Sequence, residues 1–163
     1  MKRSEEMMRH PERRIKDKET ITALLKRSLI GRIATVNSKG FPVIKPVNFV
    51  YEAGRIYVHS SMRGEKVRDI RRNSLVCFEL DEPIAYVATK GPACKANYYY
   101  RSLLIKGKAV LLKDINKKRK ILERMMEKYQ PEGGYETMED EVLKKTALIE
   151  ISIHNMTGKE RLG

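Results

Sequence analysis

The chain switches between two hydrophobic periods, and the switches mark its elements. In "DKETITALLKRSLIG", Ile21, Leu24 and Leu25 follow helical spacing, with Ser28 one turn on. Asp17 is placed to cap this helix, Glu19 suits its positive first turn, and Gly31 is read as ending the segment. The period then drops to two. "RIATVN" is short and rich in β-branched residues, and "SKGF" is a turn. In "PVIKPVNFVYE", Val43, Lys45, Val47, Phe49 and Tyr51 share one face, and Ile44, Pro46, Asn48 and Val50 the other. Pro46 cannot donate to a ladder, so this strand is expected at an edge or a bulge. "AG" turns the chain into "RIYVHS".

Val67 and Ile70 restore a helical spacing just after Gly64. "LVCFEL" alternates again, and "IAYVAT" reads either as another strand or as an irregular connection. "KGPACKAN" is a loop, and "YYYRSLLIKGKAVLLKD" a long strand in which Gly107 marks a bend or bulge. "INKKRKILERMMEKY" is a helix with Leu122, Met125, Met126 and Tyr129 on one face and Asp114 as its cap. "PEGG" breaks the chain, "TMEDEVLKK" is a short helix with Thr137 as its cap, and "TALIEISIHNM" closes with a strand. The expected fold is mostly β with peripheral helices (α+β). About six antiparallel strands are linked by hairpins, and open edges favour their closing into a barrel. Residues 1–16 are charged and aperiodic, a basic arm either mobile or ordered only by docking, and residues 17–163 form one domain.

Composition narrows the partners. The 163 residues carry a formal net charge of +13, which favours anions: nucleic acid, membrane headgroups or phosphorylated small molecules. Two cysteines at no metal-like spacing and three histidines do not suggest a zinc site. The N-terminal stretch lacks the apolar core of a secretory signal, and no apolar run approaches the roughly 18 residues of a membrane span. The expectation is a cytoplasmic protein with reduced thiols.

The densest charge lies in "YVHSSMRGEKVRDIRRN", where five basic residues stand against Glu65 and Asp69. A strand ending at His59, Ser60 and Ser61, followed by a helix near Gly64, would gather hydroxyls, unpaired N–H groups and the positive end of a helix dipole. Arg63 and Lys66 flank that turn; Arg68, Arg71 and Arg72 follow one to two turns later. The same run also fits a solvated helix with Val67 and Ile70 inward. His59 is a pocket residue or an ordinary strand-end histidine. Tyr98, Tyr99 and Tyr100 fit strand packing as well as a planar ligand, and "KKRK" fits the solvated face of a helix. No Walker-type or dinucleotide-type glycine loop and no HExxH is present.

"KPVNFVYEAGRIYVHS", "GEKVRDIRRNSLVCFE", "PACKANYYYRSLLIKGKA" and "NMTGKERLG" occur in an order that resembles the FMN-binding split barrels related to pyridoxamine 5′-phosphate oxidase, nearest the nitroimidazole-resistance (Nim-like) branch. The resemblance runs from about Asp17 to the C-terminus. It implies a six-stranded antiparallel split β-barrel and a homodimer with two interfacial FMN sites. Ser60, Ser61, Arg63 and Lys66 would hold the cofactor phosphate, and Lys45, Pro46, Val47 and Asn48 would line the isoalloxazine edge. Arg101 and Ser102 would approach from the partner subunit, and His59 would stand near the flavin as the catalytic candidate. Two departures matter. Gly64, Glu65 and Lys66 occupy the positions of the oxidase's Ser-Arg-Lys phosphate segment, so only the lysine remains. The oxidase's substrate-binding tryptophan and arginine have no counterpart, and the chain contains no tryptophan, so pyridoxamine phosphate oxidation is not expected. The resemblance implies an FMN-dependent oxidoreductase taking a small-molecule substrate, a nitro or quinone-like acceptor, with a separate electron donor. Lys45 is the nearest candidate to stabilise reduced flavin and His59 to donate a proton. A non-catalytic flavin-, deazaflavin- or haem-binding module is the rival reading. A nucleic-acid binder ranks last, because the basic residues are spread along the chain.

Overall fold

The computed structural model describes residues 9–162. Helix α1 (Lys18–Arg27) precedes β1 (Ile30–Val36), β2 (Pro42–Asn48), β3 (Val50–Glu52) and β4 (Arg55–Ser61). Helix α2 (Glu65–Arg72) leads to β5 (Leu75–Val87) and β6 (Asn97–Leu111), then α3 (Ile115–Tyr129), α4 (Asp140–Lys145) and β7 (Thr146–Arg161). Among the described residues no helix is long and apolar enough to cross a membrane.

The seven strands form one antiparallel sheet in the order β2-β1-β5-β6-β7-β4-β3. Consecutive strands β2 and β3 therefore lie at opposite edges, although Phe49 alone separates them. One residue cannot bridge a flat seven-stranded sheet whose strands are roughly 4.8 Å apart. The sheet must curl until its edges meet, and the unpaired seam at Phe49 makes the barrel split rather than closed. This is the mostly β split barrel that the sequence implied, with seven strands in place of six. The count differs because "PVIKPVNFVYE" divides at Phe49, while "LVCFEL" and most of "IAYVAT" join as β5 across a register shift between Pro83 and Ala85. Pro46 sits opposite Arg32 on edge strand β2, where its missing N–H breaks no second ladder.

Phe49 is fully buried and meets Phe78 edge-on, with centroids 5.0 Å apart. Helix α3 clamps its backbone: the Phe49 N–H donates to Tyr129 Oη at 2.8 Å, and the Phe49 carbonyl accepts from Lys128 Nζ at 3.0 Å. Tyr129 Oη in turn donates to the Leu29 carbonyl at 2.6 Å, tying the α1–β1 connection to the same point. Lys128 Nζ also lies 3.9 Å over the Phe49 ring. The amphipathic face of α3 buries Ile121, Leu122 and Met125, which carry the helix onto β3 and β7.

Asp17 caps α1 by accepting from Glu19 and Thr20, and Asp114 caps α3 by accepting from Lys117. Two cap and stop assignments need correction. Gly31 does not end α1, which stops at Arg27; it lies within β1 beneath the Phe78 ring, where an added Cβ would come within 2.1 Å of that ring. Thr137 does not cap α4, which begins at Asp140 after Glu139. The β6–β7 register shifts between Lys106 and Gly107, and a Cβ at Gly107 would strike the Ser152 carbonyl at 2.4 Å, so glycine is sterically required at this bulge. The end of the N-terminal arm is docked: Ile15 is buried and donates to the Gly158 carbonyl, and Arg14 bridges to Lys159. The rest of the arm, residues 1–8, lies outside the described residues.

Replacing Tyr129 with phenylalanine strands the Phe49 N–H, and urea denaturation should register a loss of about 1–3 kcal/mol. An unchanged midpoint would show that the clamp is not needed. Burial lowers the pKa of Lys128 to about 8. Between there and the usual lysine value near ~10.4 the unfolded chain binds more protons than the folded one, so stability should rise with pH across that window. In Lys128→Met that rise should disappear from the pH dependence of the denaturation midpoint.

Candidate functional site

The corner that follows β4 is built from local sequence. Strand β4 pairs with β7 to its end, with Ser60 opposite Ala147 and Ser61 opposite Thr146. The chain then turns, Gly64 N–H donating to the Ser61 carbonyl at 3.0 Å, and Gly64 becomes the N-cap of α2. A Cβ at Gly64 would stand 3.1 Å from the Ser61 carbonyl and 3.3 Å from Ser60 Oγ, so the close turn favours glycine. The first N–H groups of α2 have no partner within the helix, and Ser61 Oγ accepts from the Arg63 N–H at 3.3 Å.

What fixes α2 is a buried carboxylate. Asp69 is 3% exposed and accepts from Thr35 Oγ1 at 2.8 Å and from Arg72 Nη2 at 3.0 Å. Arg72 Nη2 also donates to the Val36 carbonyl, so one guanidinium nitrogen ties α2 to β1. Val67 and Ile70 are buried beneath the helix, as their spacing requires. Arg72 stays on the exposed face of the helix, as the solvated-helix reading expects, and also tethers it. Arg68 likewise turns back, donating to the Arg63 carbonyl at 2.9 Å.

Against this corner lies the C-terminal half of β2. Ile30, Lys45, Pro46, Val47, Asn48, His59, Ser60, Ser61, Gly64, Glu65 and Lys66 line an open cavity of about 720 Å³, within the roughly 300–1,000 Å³ of small-molecule sites. Eight of the eleven candidate residues read from the sequence, Lys45, Pro46, Val47, Asn48, His59, Ser60, Ser61 and Lys66, line this one space. Three do not. Arg63 is exposed beyond the turn. Arg101 and Ser102 lie on β6 opposite Glu160 and Lys159, and Arg101 is held by Glu160 at 3.1 Å and Glu82 at 3.6 Å.

The cavity's charge is two lysines against one glutamate. Lys45 is ion-paired with Glu65, which ties β2 to the first turn of α2. Burial first, and the charge of Lys45 second, hold the pKa of Lys66 below the ordinary lysine range. A half-buried ammonium without a described ion-pair partner, beside helix N–H groups and two hydroxyls, is a site that an anion would stabilise.

A second recess of about 280 Å³ is also lined by His59 and Asn48. Those two residues line both spaces. Its walls are Leu122, Met125, Met126 and Tyr129 of α3, with Met138 and Thr146 closing it. The sequence showed the methionines only as a core face. Met126 and Met138 are half-buried, so this face is not fully covered, and no periodicity reveals that.

A search of curated protein sequences returns no match. Solved structures do match. A candidate 5-nitroimidazole antibiotic resistance protein from Bacteroides thetaiotaomicron VPI-5482 is 25% identical, with a TM-score of 0.78 over 90% of this chain and 85% of that one. The flavocytochrome Anf3 from Azotobacter vinelandii is 23% identical, with a TM-score of 0.86 over 96% and 73%. The FAD and heme binding protein from Mycobacterium smegmatis is 17% identical, with a TM-score of 0.83 over 93% and 74%. The family model described as pyridoxamine 5′-phosphate oxidase matches residues 17–160. With that match spanning nearly the whole chain on a split-barrel sheet, the protein belongs to the pyridoxamine 5′-phosphate oxidase family.

Proposed function

We propose that this protein binds FMN in the cavity between β2 and the β4–α2 corner and acts as an oxidoreductase on a small apolar acceptor such as a nitro or quinone-like compound. The observation that carries the reading is the convergence of strand-end hydroxyls, the α2 N-terminus and Lys66 on a space bordered by Lys45–Asn48. Flavin or related cofactors in the names of similar folds support it: a flavocytochrome, an FAD and heme binding protein, and an F420 reductase.

When bound, the flavin would supply the two-electron redox chemistry. Ser60, Ser61 and the first N–H groups of α2 would hold its phosphate, with Lys66 supplying the charge. Lys45 through Asn48 would border its ring system, and the Lys45–Glu65 pair keeps β2 and α2 in register for that task. His59 stands on the wall shared by the cavity and the methionine recess, with no hydrogen-bond partner among the described residues. Its imidazole N–H is therefore available to a substrate in the recess. Thioethers are polarisable and conform to flat apolar molecules, which suits Met125, Met126 and Met138 to the acceptor.

A second copy of the chain would cover the open side. Phe41 and Ile44 are each 65% exposed on the β1–β2 hairpin, and Ile30, 47% exposed, borders the cavity itself. A partner's Arg101 and Ser102 are the residues the family resemblance assigns to that approach.

The purified protein should be yellow, bleach with a reductant, and show twice the 18.9 kDa chain mass by light scattering. Lys66→Met should weaken FMN binding about tenfold or more. In the unsubstituted protein affinity should fall as alkaline pH discharges Lys66, and this slope should be absent from the variant. Colourless protein that ignores added FMN, or carries a haem Soret band without flavin, sinks the proposal. Met126→Trp, which fills the recess, should raise the acceptor's KM about tenfold or more while leaving FMN affinity unchanged. An unaltered KM would place the acceptor elsewhere.

A further inference from the structure

The other end of α2 borders a separate space. Where α2 and α3 diverge over the ends of β6 and β7, a groove of about 580 Å³ opens, sharing no lining residue with the flavin cavity. Its accessible floor is apolar: Met62, Leu111 and Leu112 are half-buried, above the buried Ile70, Ala109 and Leu148. Its ionisable lining residues are all basic, namely Arg71, Lys113, Lys118 and Lys144.

Lys118 is the informative one. It is 6% exposed, and its Nζ donates to the carbonyls of Leu143 at 3.1 Å and Thr146 at 2.9 Å. Those acceptors at the end of α4 explain why the side chain turns inward. They carry no full charge, and no carboxylate pairs with Lys118 among the described residues. A buried ammonium without a counter-ion is costly, and an anion in the groove would offset that cost. Arg71 and Lys113, both exposed, also lack an ion pair among the described residues. Lys144 is already engaged by Glu141 at 2.6 Å, so it contributes least.

We propose that this groove binds a small soluble amphipathic anion, a carboxylate bearing a hydrocarbon tail. The tail would lie against Met62, Leu111 and Leu112, and the carboxylate would face Lys118, Arg71 and Lys113. The apolar floor argues against a purely ionic ligand, and the all-basic lining argues against a neutral one. A concave space of single-molecule size favours a free amphiphile over a flat lipid surface.

Isothermal titration with decanoate, decanol and butyrate below micellar concentrations tests this directly. Decanoate should bind about tenfold or more tighter than either comparison compound. The double variant Arg71→Glu, Lys113→Glu should weaken it by about tenfold or more. Both substitutions are at exposed positions, and an unchanged thermal midpoint would confirm that the variant folds. The proposal is overturned if decanoate does not bind, if decanol binds equally, if the double variant makes no difference, or if only anionic vesicles are bound. None of these outcomes depends on whether FMN occupies the other cavity.

Discussion

The rest of the structure hangs on the hydrogen bonds by which Tyr129 and Lys128 hold the backbone of Phe49. Its N–H goes to Tyr129 Oη and its carbonyl to Lys128 Nζ. At this residue the chain leaves one edge of the sheet and enters the opposite one. A buried backbone break of this kind leaves a donor and an acceptor that no ladder can satisfy. Helix α3 supplies both partners, and the Phe49 ring supplies the packing against Phe78. Without the clamp, the joint would have to keep a polar backbone unsatisfied beside the core.

The same joint places the site. Asn48 precedes Phe49 and separates the larger cavity from the methionine recess, whose other wall is the helix that makes the clamp. Lys45 is three residues earlier and meets Glu65 at the start of α2. Asp69 fixes the far end of that short helix through Thr35 and Arg72. The corner between β4 and α2 is therefore held from both sides, by β1 and by β2. A rigid corner loses little freedom when it orders a ligand, which is why such sites are built on braced elements.

Charge in this chain is distributed by task rather than by region. Of the arginines in the densest basic run, Arg72 tethers a helix, Arg68 bonds a carbonyl, and Arg71 borders a different groove. Of the lysine and arginine side chains of that run, only Lys66 lines the larger cavity. The net charge of +13 thus does not describe one anion-binding face. Two separate spaces, on opposite ends of α2, each take a share.

Local order was legible in the chain. Period, caps and turn residues placed α1, α3, the strand-to-helix corner and the edge position of β2. These depend on neighbours within a few residues, so they are written in short segments. The family resemblance named the residues around the cavity, eight of which share it. Tertiary structure decided what depends on distant partners. Gly31 looked like a helix stop because its true neighbour, the Phe78 ring, is far away in sequence. One extended run became two strands because Tyr129 and Lys128 clamp it from a helix some eighty residues later. The uncovered methionine face and the inward turn of Lys118 have the same origin. A side chain's exposure is set by what packs over it, and a one-dimensional pattern records which residues prefer burial, not which are left a space to fill.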